Sequence, residues 1–182
     1  AHRRGIVHRD IKPANFLLAP DEHDADEERV FLADFGIARD RTCLKVNDDL
    51  HVYTLWYRPP EALKVGSVYT EKADVWALGC TLYEIQGYGS LFEGAVDEND
   101  MLKLINARFG PYAHEEVKWD DNISEFRSLI ESMLIINPVA RSTIFEAQDH
   151  AYFDGLDRTA LDIPYVENVT CIDRYLTFER II

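Results

Sequence analysis

Beyond residue 70 the apolar positions fall at helical spacing. Val75, Leu78, Leu82 and Ile85 recur at three- and four-residue steps, and Ala77, Gly79 and Cys80 fill the gaps with small side chains. This predicts a helix buried on most sides and ended by Gly87 and Gly89. A second helix is expected to begin near Asp97 or Asn99 and to carry Met101, Leu102, Leu104 and Ile105. Phe126, Leu129, Ile130, Met133 and Leu134 share one face of a third, with Ser124 as its expected cap and Asn137-Pro138 as its stop. Thr143-Ile144-Phe145-Glu146 fits the capping box of a fourth.

Before residue 70 the pattern is different. Gly5 reads as the residue after a helix end, and Ile6-Val7 as a short buried segment that leads into a polar loop at His8. Phe16-Leu17-Leu18 and Val30-Phe31-Leu32 flank a charged stretch, as in a β-hairpin with a polar tip. The tip, Asp21 to Glu28, holds six acidic residues in eight, but it lacks the glycine and ligand alternation of a calcium loop and reads as solvated. Residues 37–58 carry little apolar periodicity, which predicts a mobile surface segment, and residues 154–182 are weakly patterned. With no internal repeat and no Gly/Ser-rich linker, 182 residues suggest one domain.

Charge and cysteine usage narrow the class. Thirty-three acidic against 19 basic residues give a net charge of -14, which argues against nucleic acid or an anionic membrane surface as partner and favours cationic peptides and Mg²⁺. Cys43, Cys80 and Cys171 lack the spacing of a disulfide framework or a zinc site, so a reducing compartment is expected. No stretch of about 18 apolar residues suits a membrane span, and Ala1 to Gly5 do not read as a secretory signal. An intracellular location, cytoplasm or nucleus, is the expectation, and the Asn122 and Asn168 sequons carry none of glycosylation.

The candidate chemistry lies in His8-Arg9-Asp10-Ile11-Lys12-Pro13-Ala14-Asn15 and in Asp34-Phe35-Gly36. Taken alone, Asp10 or Asp34 reads as a turn or cap carboxylate. Together the set suits transfer of a phosphoryl group from a Mg-nucleotide to a hydroxyl. Asp10 can orient the hydroxyl and take its proton; Lys12, on the same side of an extended loop, can neutralise the transferring phosphate. Asn15 and Asp34 supply the hard oxygen donors that Mg²⁺ prefers, and Gly36 is expected to permit the turn that aims Asp34.

At these residues the chain resembles a eukaryotic-type protein kinase, in particular the C-terminal lobe of its α+β fold: mainly helical, with a short β-hairpin at the catalytic cleft. The resemblance covers residues 1–155, with Pro59-Pro60-Glu61 where the family usually has Ala-Pro-Glu, and leaves 156–182 as a tail. It implies ATP and Mg²⁺, a protein substrate, Asp10 and Lys12 in catalysis, and Asn15 and Asp34 at the metal and nucleotide. It also implies that Asp74 braces the catalytic loop and that Glu61 pairs with Arg141, although by residue type alone these are a helix-start acid and two surface residues. Lys12 after His8-Arg9-Asp10, and a Thr54 that contacts the catalytic loop, are similar to serine/threonine kinases. Thr54-Leu55-Trp56-Tyr57-Arg58 resembles cyclin-dependent kinases, in which the arginine matching Arg58 shapes a pocket favouring proline after the phosphorylated residue.

Departures from that group are part of the picture. Asp49 stands where the group carries a phosphorylated threonine, so a fixed carboxylate facing Arg9 and Arg39 is expected in place of the switch, with ordinary loop acids as the alternative. The stretch between Phe109 and Ile123 is shorter than the group's insertion, and Tyr53 replaces a small or branched residue. No glycine-rich phosphate loop, strand lysine or helix glutamate is found; Gly87-Tyr88-Gly89 is better read as a helix end. The expectation is therefore a partial catalytic domain, inactive alone, whose N-terminal lobe and any cyclin-like activator lie outside these residues. A kinase-like lobe serving as a protein-binding scaffold is the competing reading, and it would leave Phe35, Ile6 and Leu17 uncovered.

Overall fold

Helix α1, Glu71–Tyr83, is the axis on which the rest of the chain packs. The computed structural model describes residues 1–20, 28–43, 54–64, 70–119 and 123–156. Thr70 caps α1 by accepting from the Lys72 amide, and the helix buries Ala73, Val75, Trp76, Ala77 and Cys80 along with the polar Asp74 and Thr81. A helix apolar on nearly all sides has neighbours on nearly all sides. Its closest approach is at Gly79, where an added Cβ would sit 3.0 Å from the Met133 Cβ and 3.1 Å from the Leu134 Cδ2. Past Tyr83 the coil widens into a π turn, Glu84–Tyr88, that ends through Gly87 at φ 88°. That change of period carries Ile85 out of the buried face to 57% exposure, so the expected apolar stripe stops at Leu82.

Helix α2, Glu98–Phe109, is capped by Asp97, which accepts from the Asp100 amide, so Asn99 lies inside the helix instead of capping it. Met101 and Ile105 face the core while Leu102 and Leu104 are half-buried. Helix α3, Ser124–Met133, buries the predicted Phe126, Leu129, Ile130 and Met133, with Leu134 as C-cap. Ser124 does not cap it; its hydroxyl donates instead to Glu125 Oε2 at 2.6 Å. The helix also stops before Asn137-Pro138, because Arg141 takes the Ile135 carbonyl at 2.9 Å and the Ile136 carbonyl at 3.3 Å and so draws that stretch away from helical bonding. Helix α4, Ile144–Gln148, opens with the expected reciprocal capping box between Thr143 and Glu146.

The strands form two small antiparallel sheets. Strand β1, Ile6–Val7, pairs with β4, Arg39–Asp40, and β2, Phe16–Pro20, forms a hairpin with β3, Glu28–Leu32. Ile6 and Val7 are buried, as expected of that short segment, so Ile6 is not left uncovered as the scaffold reading implied, and the β1–β4 ladder ties the polar loop at His8 to the stretch after Gly36. In the hairpin Phe16 and Leu32 reach the core, whereas Leu17, Leu18, Val30 and Phe31 are exposed. The segment expected to be a mobile surface loop is in its described parts held down: β4 is paired, and Tyr57 and Arg58 are buried. The acidic hairpin tip at 21–27, Asp49, Tyr53 and residues 157–182 of the tail lie outside the described residues. No described helix is long and apolar enough to cross a membrane.

Candidate active site

The polar loop is built on one buried carboxylate. Asp74, 1% exposed on α1, accepts the His8 amide at 2.8 Å on Oδ2 and the Arg9 amide at 2.9 Å on Oδ1. His2 Nε2 contacts the same Oδ2 at 2.8 Å. Arg9 adopts φ 73°, a left-handed conformation that costs a non-glycine residue energy and persists because its own amide is held by Asp74 and the Asp10 amide by His8. The reversal turns the His8 ring inward. Its Nδ1 accepts the Asp10 amide at 3.2 Å, which leaves Nε2 to carry the proton and donate to the Ala33 carbonyl at 2.9 Å. The ring also meets Phe35 edge-on, with centroids 4.6 Å apart. His8 thereby joins the loop to the Asp34-Phe35-Gly36 turn.

Three side chains converge on Asp10. Lys12 Nζ donates to Asp10 Oδ2 at 2.6 Å, Asn15 Nδ2 to the same oxygen at 3.1 Å, and Thr54 Oγ1 to Asp10 Oδ1 at 3.1 Å. Lys12 also reaches Thr54 Oγ1 at 3.1 Å, and Asn15 Nδ2 holds the Asp10 carbonyl at 2.7 Å. Partial burial pushes the Asp10 carboxyl up, but the Lys12 hydrogen bond and charge, helped by Asn15 and Thr54, outweigh it and hold the group below the ordinary carboxylate range. An ionised acceptor beside an ammonium can take a proton from a hydroxyl and steady charge on an incoming phosphate.

Asp34 is exposed and stands at φ 60°, with Oδ1 accepting the Gly36 amide at 3.3 Å. The positive φ belongs to Asp34 and not to Gly36, whose part is spatial: a Cβ there would come 3.2 Å from Asp34 Oδ1. Asn15, its amide nitrogen committed to Asp10, keeps its side-chain carbonyl oxygen for another partner. Among the described residues no three or more His, Cys, Asp and Glu gather as a metal-holding group. Asp34 and Asn15 thus offer one charged and one neutral oxygen, a donor set that fits Mg²⁺, which keeps several waters and phosphate oxygens as its other ligands.

Two supports lie behind the site. Arg141, 1% exposed, forks onto Glu61 at 2.7 and 2.9 Å, donates to the Lys72 carbonyl at 2.7 Å and stacks 5.0 Å from the Trp76 ring centroid. Lys72 Nζ in turn donates to the Arg141 carbonyl. The sequence pairing of Glu61 with Arg141 is therefore met in space. Arg58 is buried and engaged by Glu98, with Nη1 to Oε1 at 2.8 Å. Arg39 is exposed and donates to the Ala38 carbonyl at 3.0 Å, while Arg9 is buried with an Nε that finds no acceptor among the described residues. Asp49, their expected counterpart, lies outside the described residues. Sequence reasoning missed His2, Glu84 and Glu98. Glu98 bore only the signal of a helix-start acid, and His2 bore none.

The protein kinase domain family matches residues 1–153. The chain is 34% identical over 179 residues to cell division control protein 2 homolog 2 of Trypanosoma brucei brucei, covering 84% of this chain and 49% of that protein. It is 35% identical over 179 residues to calcium/calmodulin-dependent protein kinase type II of Caenorhabditis elegans, covering 96% and 23%. It is 30% identical over 180 residues to cyclin-dependent kinase F-4 of Oryza sativa subsp. japonica, covering 85% and 37%. The chain spans half or less of the length of these relatives.

Proposed function

Because this chain belongs to the protein kinase family and is related to the cyclin-dependent kinases, we propose that it is the C-terminal lobe of a serine/threonine kinase. Its reaction is transfer of the γ-phosphoryl group of ATP to a protein hydroxyl. The observation that carries this reading is the convergence of Lys12, Asn15 and Thr54 on one ionised carboxylate, Asp10, in a loop pinned to Asp74. Asp10 orients the acceptor hydroxyl and takes its proton as the oxygen bonds to phosphorus and the bridging oxygen departs with ADP. Lys12, already beside that carboxylate, offsets charge on the transferring group. Asn15 and Asp34 would hold Mg²⁺, which would supply charge neutralisation at the nucleotide phosphates. Thr54 keeps the acceptor-side segment against the loop.

The catalytic unit is assigned to residues 1–155 and the tail to 156–182. Arg58 is assigned to a pocket that favours proline after the phosphorylated residue, and a cyclin-like activator suits a relative of the cyclin-dependent kinases. Asp49 is assigned as a built-in acid for Arg9 and Arg39; the buried Arg9 Nε, which has no acceptor among the described residues, supports this. Residues that close over the nucleotide are expected from outside the 182, so the chain alone is expected to bind Mg-ATP weakly.

The test is phosphoryl transfer by the full-length protein to a serine/threonine peptide set. Asp10→Asn is expected to lower kcat by about 100-fold or more, the usual loss on removing a general base. Full activity of that variant overturns the assignment. Asp49→Ala is expected to lower activity, and wild type to need no activating kinase; an unchanged Asp49→Ala rate sinks the built-in acid.

A further inference from the structure

The segment that begins at Thr54 is fastened by successive side chains to a single stretch of chain. Trp56 Nε1 donates to the Ala95 carbonyl at 3.0 Å, the Tyr57 hydroxyl to Glu84 Oε2 at 2.7 Å, and Arg58 Nη1 to Glu98 Oε1 at 2.8 Å. The acceptors run from the π turn that ends α1 to the first residue of α2. At its other end the same segment bonds Asp10 and Lys12 through Thr54. A short 3₁₀ turn, Leu55–Tyr57, joins the two ends, with the Arg58 amide closing it on the Leu55 carbonyl. The α1–α2 connection therefore determines where this segment stands relative to Asp10.

Among these tethers Arg58–Glu98 is the charged one, and it is lopsided: the Arg58 side chain is 5% exposed and that of Glu98 41%. A guanidinium so deeply placed needs a counter-charge, and among the described residues Glu98 supplies one from the solvent side. Asp97 caps α2 and fixes the backbone on which Glu98 is carried, at the end of the helix that favours an acid. Burial and the Glu84 carboxylate push the Tyr57 hydroxyl up, so the neighbouring tether stays a protonated donor.

We propose that Glu98 is a positioning residue for the acceptor substrate: by holding Arg58 it sets the surface, on the Thr54 side of Asp10, against which the residue beside the phosphorylated hydroxyl rests. This rests on the kinase reading, and its proline component rests on the assignment of Arg58. Glu98 itself touches neither nucleotide nor reacting atoms, so its loss acts on peptide binding and on peptide choice, not on ATP.

The experiment uses the full-length protein and a pair of peptides that differ only in proline or alanine after the acceptor serine. Glu98→Gln is expected to raise peptide KM by roughly tenfold, the scale of one charged hydrogen bond, and to change the proline-to-alanine ratio of kcat/KM. ATP KM is expected to stay at the wild-type value, and Glu98→Asp to recover most of the peptide KM. A folded Glu98→Gln with wild-type peptide KM and ratio overturns the proposal, as does an equal rise in both KM values, which marks a general loosening. If Glu98→Gln fails to fold, Arg58→Met combined with Glu98→Gln removes the buried charge together with its partner. That pair is expected to show the same peptide KM and ratio shift, and a wild-type ratio in it overturns the proposal. Wild type that prefers neither peptide overturns proline direction and leaves Glu98 judged on peptide KM. Wild type that phosphorylates no peptide overturns the kinase reading and this proposal together.

Discussion

Asp10 shows how much of a site is set by neighbours within a few ångströms. Its carboxyl is lifted by burial and lowered more by Lys12, Asn15 and Thr54, so it stays charged at any pH above the ordinary carboxylate range. Lys12→Met removes the main lowering influence and leaves burial in place, so the Asp10 midpoint is expected to rise; carboxyl NMR titration of the chain checks this, and an unmoved midpoint refutes it. A depressed folded-state value also means that the stability contributed by ionised Asp10 is present above its unfolded value, and is lost as pH falls through the lowered folded one. The types and order of Asp10, Lys12, Asn15 and Asp34 were legible in the chain. The strain at Arg9 and Asp34 was not, because a positive φ at a non-glycine residue is imposed by long-range bonds and leaves no local mark.

The elements carry the energetics. Helix α3 was readable because its apolar face repeats at helical spacing, and α4 because a capping box is a local contact. The exposure of Ile85 and the early end of α3 were not legible, since a π turn and the hydrogen bonds of Arg141 override propensity. Glu61 and Arg141 form a buried fork, so Glu61→Gln leaves a buried guanidinium short of its counter-charge and is expected to destabilise the fold by about 3 kcal/mol. Urea unfolding measures it. Gly79→Ala forces a Cβ against Met133 and Leu134 and is expected to cost about 1–3 kcal/mol by the same assay, whereas a neutral result means that α3 shifts freely away from α1.

At the scale of the molecule, the loop at His8–Asn15, the Asp34–Gly36 turn and the segment from Thr54 to Arg58 are three stretches gathered around α1 by Asp74, by the β1–β4 ladder and by the α1–α2 connection. The 182-residue chain is expected to bind Mg-ATP with a Kd weaker than about 1 μM by calorimetry, and tighter binding counts against a site completed from elsewhere. Motif order and residue type by themselves pointed to the kinase family and to Asp10, Lys12, Asn15 and Asp34, because the resemblance lies in short local runs that the chain displays directly. Tertiary structure alone decided that His2 joins Asp74, that Ile85 is exposed and that Glu98 holds Arg58. These depend on which surfaces meet across tens of residues, and a pairing between distant segments leaves no periodicity in the chain to read.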